Sequence, residues 1–343
     1  MPMQQMLLGM AGVVYTTDLA VAHGNSPYVT VYKWGASGFG PKYSNPSTLP
    51  TGSGQGVAWT ADGSTIAIAH SSSPRISVYP WSDGFGTKYS DPSGTPGVHG
   101  TSVTFSPDGN NIVYTHYGSP YVAAYPWSGS GFGTQYSNPS NGIGNTGFGV
   151  SFSPSGNDIA ISEWDSPFIR VYAWSSGFGT KYSDASTAVP NDAYGRPAWS
   201  PDGNTLAVPH YQSPWITVYA WSSGFGSKYS DPSTAVPSIA FGAAFSPDGN
   251  NLAIAHEGSP YISVYPWSGS GFGTKYSDPS TLPPSDGKEV DFSPDGTAIA
   301  VGHGGSPYLS VYPWSGSGFG TKYSDPSTLP TGTCDDVAFR PTS

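Results

Sequence analysis

Six histidines recur at one place in a repeating pattern. His23, His70, His116, His210, His256 and His303 each close a short apolar run, and Glu163 takes the seventh place. Imidazoles and carboxylates at regular intervals are the groups that ligate zinc or move protons. The spacing argues against a shared metal. Sheets packed face to face stand about 10 Å apart, whereas two ligands on one zinc sit within roughly 4 Å, given bonds near 2 Å. The seven positions are therefore read as structural groups that hydrogen-bond a loop in every unit, and His99, outside the pattern, as a solvated loop residue. No G-x-S-x-G, H-E-x-x-H or P-loop pattern occurs. Asp-Gly pairs such as Asp108-Gly109 recur without the spacing of a calcium loop, so they read as turns. No metal and no cofactor are expected.

The pattern that positions these groups is a 46–47-residue repeat present seven times. A Ser-Pro mark has its proline at Pro27, Pro74, Pro120, Pro167, Pro214, Pro260 and Pro307. Each copy then carries Tyr-x-Trp, ending at Trp34, Trp81, Trp127, Trp174, Trp221, Trp267 and Trp314, and next a Gly-Phe-Gly. One unit divides into four extended runs, Ala243 to Phe245, Leu252 to His256, Tyr261 to Tyr265 and Phe272 to Ser277. Ser246-Pro247-Asp248-Gly249 separates the first two by turn chemistry. Pro266 ends the third, since proline cannot donate to a ladder, and Lys275 suits the short fourth run to an outer edge. No segment shows the 3.6-residue apolar period of a helical solenoid.

Composition fits that reading. The chain has 343 residues with 46 Gly and 34 Pro, and its 14% aromatic content separates it from disordered Pro/Gly-rich chains. A net charge of −10 and the absence of any Lys/Arg cluster exclude a phosphate-tracking nucleic-acid surface. The apolar run near the N-terminus is too short to span a membrane, and no basic residue precedes Lys33, so a standard secretory signal is not expected. The single Cys334 excludes a disulfide framework.

Four strands in each of seven repeats predict an all-β, seven-bladed β-propeller over residues 18–343, with residues 1–17 as an N-terminal arm. The chain resembles WD-repeat-like propellers, whose inner strand and turn often read V-A-F-S-P-D-G, as Val290 to Gly296 nearly does; the Gly-His and Trp-Asp marks of true WD repeats are not in register. Residues 337–343 match an inner strand whose partners lie at Leu19 to His23, Tyr28 to Tyr32 and Gly38 to Ser44. One blade should therefore close by pairing the two ends of the chain.

Function is sought where the copies differ. The loops after the second and fourth strands vary and emerge on one face, and aromatic residues concentrate there in repeats three to five: Tyr117, Phe148, Trp164, Tyr194, Tyr211 and Trp215, with Phe241 next. Glu163, Asp165, Asp192, Arg196 and Gln212 sit among them. Exposed aromatics beside carboxylates and amides suit a glycan or a protein hot spot. The arm concentrates all four methionines, Met1, Met3, Met6 and Met10, around Leu7 and Leu8, a composition that suits an assembly handle gripping a protein partner. Arm, missing signal peptide and similar tandem copies together resemble virion-associated propellers of tailed bacteriophages. That resemblance implies a non-enzymatic structural or adhesion protein of the virion. A bacterial lectin or interaction scaffold, cytoplasmic or released without a signal peptide, is the alternative. A lactonase-type enzyme is the distant third, because it would need convergent carboxylates and a metal at the channel, where acidic groups occur only near Asp286, Glu289, Asp335 and Asp336.

Overall fold

The computed structural model describes residues 14–94 and 98–342. Among them there is no helix, and seven antiparallel sheets follow one another along the chain. Blades four and five carry four strands, for example Gly147–Phe152, Asp158–Glu163, Ile169–Trp174 and Phe178–Lys181 in blade four. In blades two, three, six and seven the outermost strand shrinks to a single bridge between the repeat's Trp and its Gly-Phe-Gly phenylalanine, such as Trp81 to Phe85. The fourth run is thus strand-like in every copy but ladder-forming in only some.

The second strand shows why a ring of blades forms. Leu252 to Ala255 alternates large and small residues, and all four are fully buried, so both faces of each sheet pack against neighbours. Each apolar cluster accordingly mixes side chains of two adjacent blades, as where Ile68 and Trp81 of blade two meet Val29 and Val31 of blade one. The tryptophan is the recurrent clamp. Trp81 is met edge-on by Trp59 of its own inner strand at 5.1 Å, Phe85 of its own turn at 4.9 Å and Tyr43 of the preceding blade at 4.9 Å. Such edge contacts add about 0.5–1.5 kcal/mol each beyond area burial.

The histidines act within this frame. Nε2 of His23, His70, His210, His256 and His303 lies 2.9–3.0 Å from the hydroxyl of the Thr or Ser seven residues later, on the adjoining third strand. In blade four the same two places hold Glu163 and Arg170, which form an ion pair. His116 faces Ala123 at the equivalent place in blade three. Glu163, counted above among the polar groups of the variable face, is therefore a buried structural group whose carboxylate also accepts the Gly144 N–H.

Closure occurs as expected from the chain ends. Cys334–Phe339 pairs antiparallel with Thr17–His23, with Val21 opposite Val337, and Val29–Gly35 and Gly38–Lys42 complete blade one. Within residues 335–343, Val337 is fully buried and Phe339 nearly so. Burying such side chains contributes roughly 1.5–3 kcal/mol each, which together reaches the lower part of the stability of a typical domain, about 5–15 kcal/mol. Deleting residues 335–343 should therefore abolish cooperative thermal unfolding monitored by near-ultraviolet circular dichroism. A truncated chain that melts where the full one does would show that the ends do not hold the ring shut.

Candidate functional site

The inner strands converge on the central axis, and one repeat position sets what fills it. Gly56, Ser102, Gly149, Gly242, Glu289 and Asp336 each sit opposite the residue just before the last of the second strand, and Arg196 precedes the Ala198–Ala207 pair by two residues. The seven copies thus place Gly, Ser, Gly, Arg, Gly, Glu and Asp around the axis. Glycine is needed here for close approach: a Cβ on Gly56 would stand 2.9 Å from the Ser102 Cα, on Gly149 2.5 Å from the Arg196 Cα, and on Gly242 2.8 Å from the Glu289 Cα. A side chain at 242 would collide with the Glu289 carboxylate itself. Small residues in four blades leave the space into which three charged ones reach.

These charges are mutually placed. An Arg196 guanidinium nitrogen lies 3.8 Å from Asp336 Oδ1. The Val57 N–H donates to Asp336 Oδ2 at 2.8 Å, and the Val290 N–H donates to Glu289 Oε1 at 3.1 Å. Next along the chain, Asp335 accepts from the Gln55 amide at 3.2 Å. Two residues on from Glu289, Asp291 accepts from the Phe339 N–H at 2.8 Å. Burial pushes all four carboxyls up, with Arg196 opposing the shift at Glu289, Asp291 and Asp336. Asp291 and Asp335 rise to about 7. Arg196, surrounded by Asp336, Glu289 and Asp291, stays cationic.

Above this charged floor a cavity of about 360 Å³ opens, within the range of small-molecule sites. One wall is aromatic. The Phe148 and Tyr194 rings lie 4.2 Å apart, Tyr194 and Tyr211 5.2 Å, and Tyr211 and Phe241 5.9 Å, with Tyr117 against Phe148 at 6.1 Å. The rest of the lining includes Gln55, Thr101, Lys288 and Asp335, with the exposed Glu257 at the edge. Lys288 is engaged by Asp286 at 2.6 Å and lies 4.2 Å over the Phe241 ring. Among the described residues no three His, Cys, Asp or Glu side chains are grouped to hold a metal.

The expected site residues divide in two. Tyr117, Phe148, Tyr194, Arg196 and Tyr211 line the cavity together. Trp164 stands at the rim, 48% exposed and 5.6 Å from the Phe148 ring, without lining the cavity. Asp165, Asp192, Gln212 and Trp215 do not line it either. Asp165 and Gln212 are exposed turn residues whose carbonyls accept the Phe168 and Trp215 N–H groups. Asp192 lends its carbonyl to the Tyr211 N–H. Trp215 follows a cis Ser-Pro bond with φ +71°, the place taken by Tyr28, Arg75, Tyr121, Phe168, Tyr261 and Tyr308 in the other blades, and packs against the apolar layer around Ile216. It belongs to the repeat. Met3, Met6, Leu7, Leu8 and Met10 lie outside the described residues.

No protein-family profile and no curated protein matches this sequence. Solved structures do. A candidate 6-phosphogluconolactonase of Bacteroides uniformis superposes with a TM-score of 0.71 at 13% identity, over 94% of this chain and 99% of that one. The periplasmic gluconolactonase of Pseudomonas aeruginosa gives 0.69 at 16% identity, over 95% and 99%. A candidate 6-phosphogluconolactonase of Bacteroides fragilis gives 0.73 at 12% identity, over 94% and 97%. The chain has the β-propeller fold. At these identities the likeness reaches no further than that fold. The names of these neighbours are nevertheless those of enzymes, and they correct the expectation of a non-enzymatic virion or adhesion protein. Nothing found supports the bacteriophage resemblance. The physical reason for the correction is that three of the acidic groups expected near the channel, Glu289, Asp335 and Asp336, share one cavity with Arg196.

Proposed function

We propose that this chain is a lactone hydrolase whose reacting centre is the charged floor of the axial cavity. The observation that carries the reading is the broken repeat: three of seven equivalent axis positions are Arg196, Glu289 and Asp336, and they share one cavity with Asp335. Structural repetition does not require these charges, because four blades manage with Gly or Ser. The names of the structural neighbours support the same direction.

The chemistry follows from the protonation states. A carboxyl held near 7, as at Asp335, is poised to take a proton from water and return it. In the proposed reaction a water oxygen attacks the lactone carbonyl carbon while Asp335 accepts its proton. Arg196 stabilises the oxyanion that develops on the carbonyl oxygen. The ring C–O bond then breaks, the Asp335 proton passes to the departing alkoxide, and a hydroxy acid leaves. Glu289 lies beside this centre, its carboxyl pushed up by burial and drawn down by the Arg196 charge.

Proton release from five- and six-membered lactones, followed by pH-stat above the spontaneous rate, tests the reading. Turnover should be present in the native chain and fall by about a hundredfold or more in Asp335→Asn at an unchanged melting temperature. No acceleration of any lactone, or full activity in the variant, would sink it.

A further inference from the structure

The aromatic part of the cavity lining bears on what the cavity admits. Phe148, Tyr194 and Tyr211 form a continuous ring surface from blades four and five, with Tyr194 as the hub between the other two. The repeat does not demand this surface: the place occupied by Tyr194 holds Gly in four copies, at 54, 100, 147 and 287. A flat apolar or aromatic group gains most on such a wall.

Charge points the same way. The cavity brings two cations, Arg196 and Lys288, against four carboxylate groups, Glu257, Glu289, Asp335 and Asp336. Both cations are already engaged, Arg196 by Asp336 and Lys288 by Asp286. A phosphate ester needs an uncommitted arginine or lysine cluster, often in bidentate contact, and would meet acidic side chains and engaged cations here instead. An uncharged ligand meets no such penalty and leaves the Arg196–Asp336 pair in place.

We propose that the cavity takes an uncharged lactone bearing an aromatic or apolar ring, the ring against Tyr194 and its neighbours and the carbonyl toward Arg196, and that it excludes phosphorylated sugar lactones. This rests on the lactonase reading above and departs from the substrate named for two of the structural neighbours.

Steady-state hydrolysis of dihydrocoumarin, δ-gluconolactone and 6-phosphogluconolactone by the full chain decides it. Dihydrocoumarin should lead in kcat/KM by on the order of tenfold or more, the scale on which apolar contacts discriminate, and the phosphorylated lactone should stay at the spontaneous rate. Tyr194→Ala should raise KM for dihydrocoumarin by on the order of tenfold with a smaller effect on kcat. Glu257 is exposed at the rim, so Glu257→Lys tests the charge argument without disturbing the core; it should confer measurable turnover of 6-phosphogluconolactone. Preference of the native chain for 6-phosphogluconolactone overturns the inference and leaves the lactonase reading intact. So does a dihydrocoumarin KM unchanged in Tyr194→Ala. Absence of turnover with all three lactones overturns the lactonase reading instead. Calorimetry with dihydrocoumarin and 6-phosphogluconate then scores the cavity alone: binding of the first, lost in Tyr194→Ala, supports the ligand class, and binding of the second overturns it.

Discussion

Arg196→Met should reduce kcat/KM for lactone hydrolysis by about a hundred- to a thousandfold, the cost of removing one oxyanion donor from a preorganised site. The loss should appear mainly in kcat, because the developing negative charge exists only in the transition state. Methionine keeps the volume of the stem, so the ring should remain folded. A second readout separates charge from shape. Glu289, Asp291 and Asp336 all have Arg196 as the neighbour that draws their carboxyls down against burial. Without it their pKa values climb further, so the alkaline shift of the carboxyl titrations, followed by NMR, should accompany the loss of rate. Full activity in Arg196→Met would place the reacting centre elsewhere, and unchanged titrations would show that the arginine does not face these acids.

The ring itself was legible because its signals are local and repeated. Tyr-x-Trp and Gly-Phe-Gly each report a turn or clamp within one blade, and their seven copies make chance agreement negligible. Closure was legible for the same reason, since Val337 to Phe339 reads as an inner strand lacking its own partners. The aromatic wall was half legible. Loop composition identified Tyr117, Tyr194 and Tyr211 but also Asp165 and Gln212, because a loop's residue types do not say which way it leans.

The charged floor was legible in pieces, Arg196 with the aromatic face and Glu289, Asp335 and Asp336 as acids near the channel, and a signal joining them existed. Residues 56, 102, 149, 196, 242, 289 and 336 fall 46 or 47 apart, and superimposing the inner strands of the seven copies would have shown Arg, Glu and Asp at one shared place. Read along the chain, Arg196 belongs to blade five, while Glu289 and Asp336 lie in blades seven and one. Only closure about an axis brings them within one cavity. In a propeller, equivalence of position implies proximity at the centre and separation at the rim, so a departure from the repeat carries functional weight mainly on the innermost strand.

Acidification should destabilise this protein well above the pH at which carboxylates ordinarily protonate. Burial lowers the pKa of His23, His70, His116, His210, His256 and His303 to about 4. A group lowered in the folded state is protonated first in the unfolded chain, so its stabilisation is complete above about 6.5 and is lost as pH falls toward 4. Each histidine then forfeits up to about 3 kcal/mol, and six together exceed the stability of a typical domain. The axial carboxyls work in the opposite direction: raised in the folded state, they favour folding at low pH and lose that contribution as pH rises toward 7. Glu163 is raised by burial as well, so six protons taken up on unfolding outweigh at most five released, leaving a net slope of about 1.4 kcal/mol per pH unit between roughly 4.5 and 6. Melting temperatures recorded at pH 7.5, 6.0 and 5.0 should therefore fall steeply, and the double variant Asp291→Asn, Asp335→Asn should fall more steeply still because the opposing contribution is reduced. A melting temperature level from pH 7.5 to 5.0 would mean that the histidine ring is charged in the folded protein, and the His–Ser and His–Thr pairs between second and third strands would then have to be read as solvated contacts.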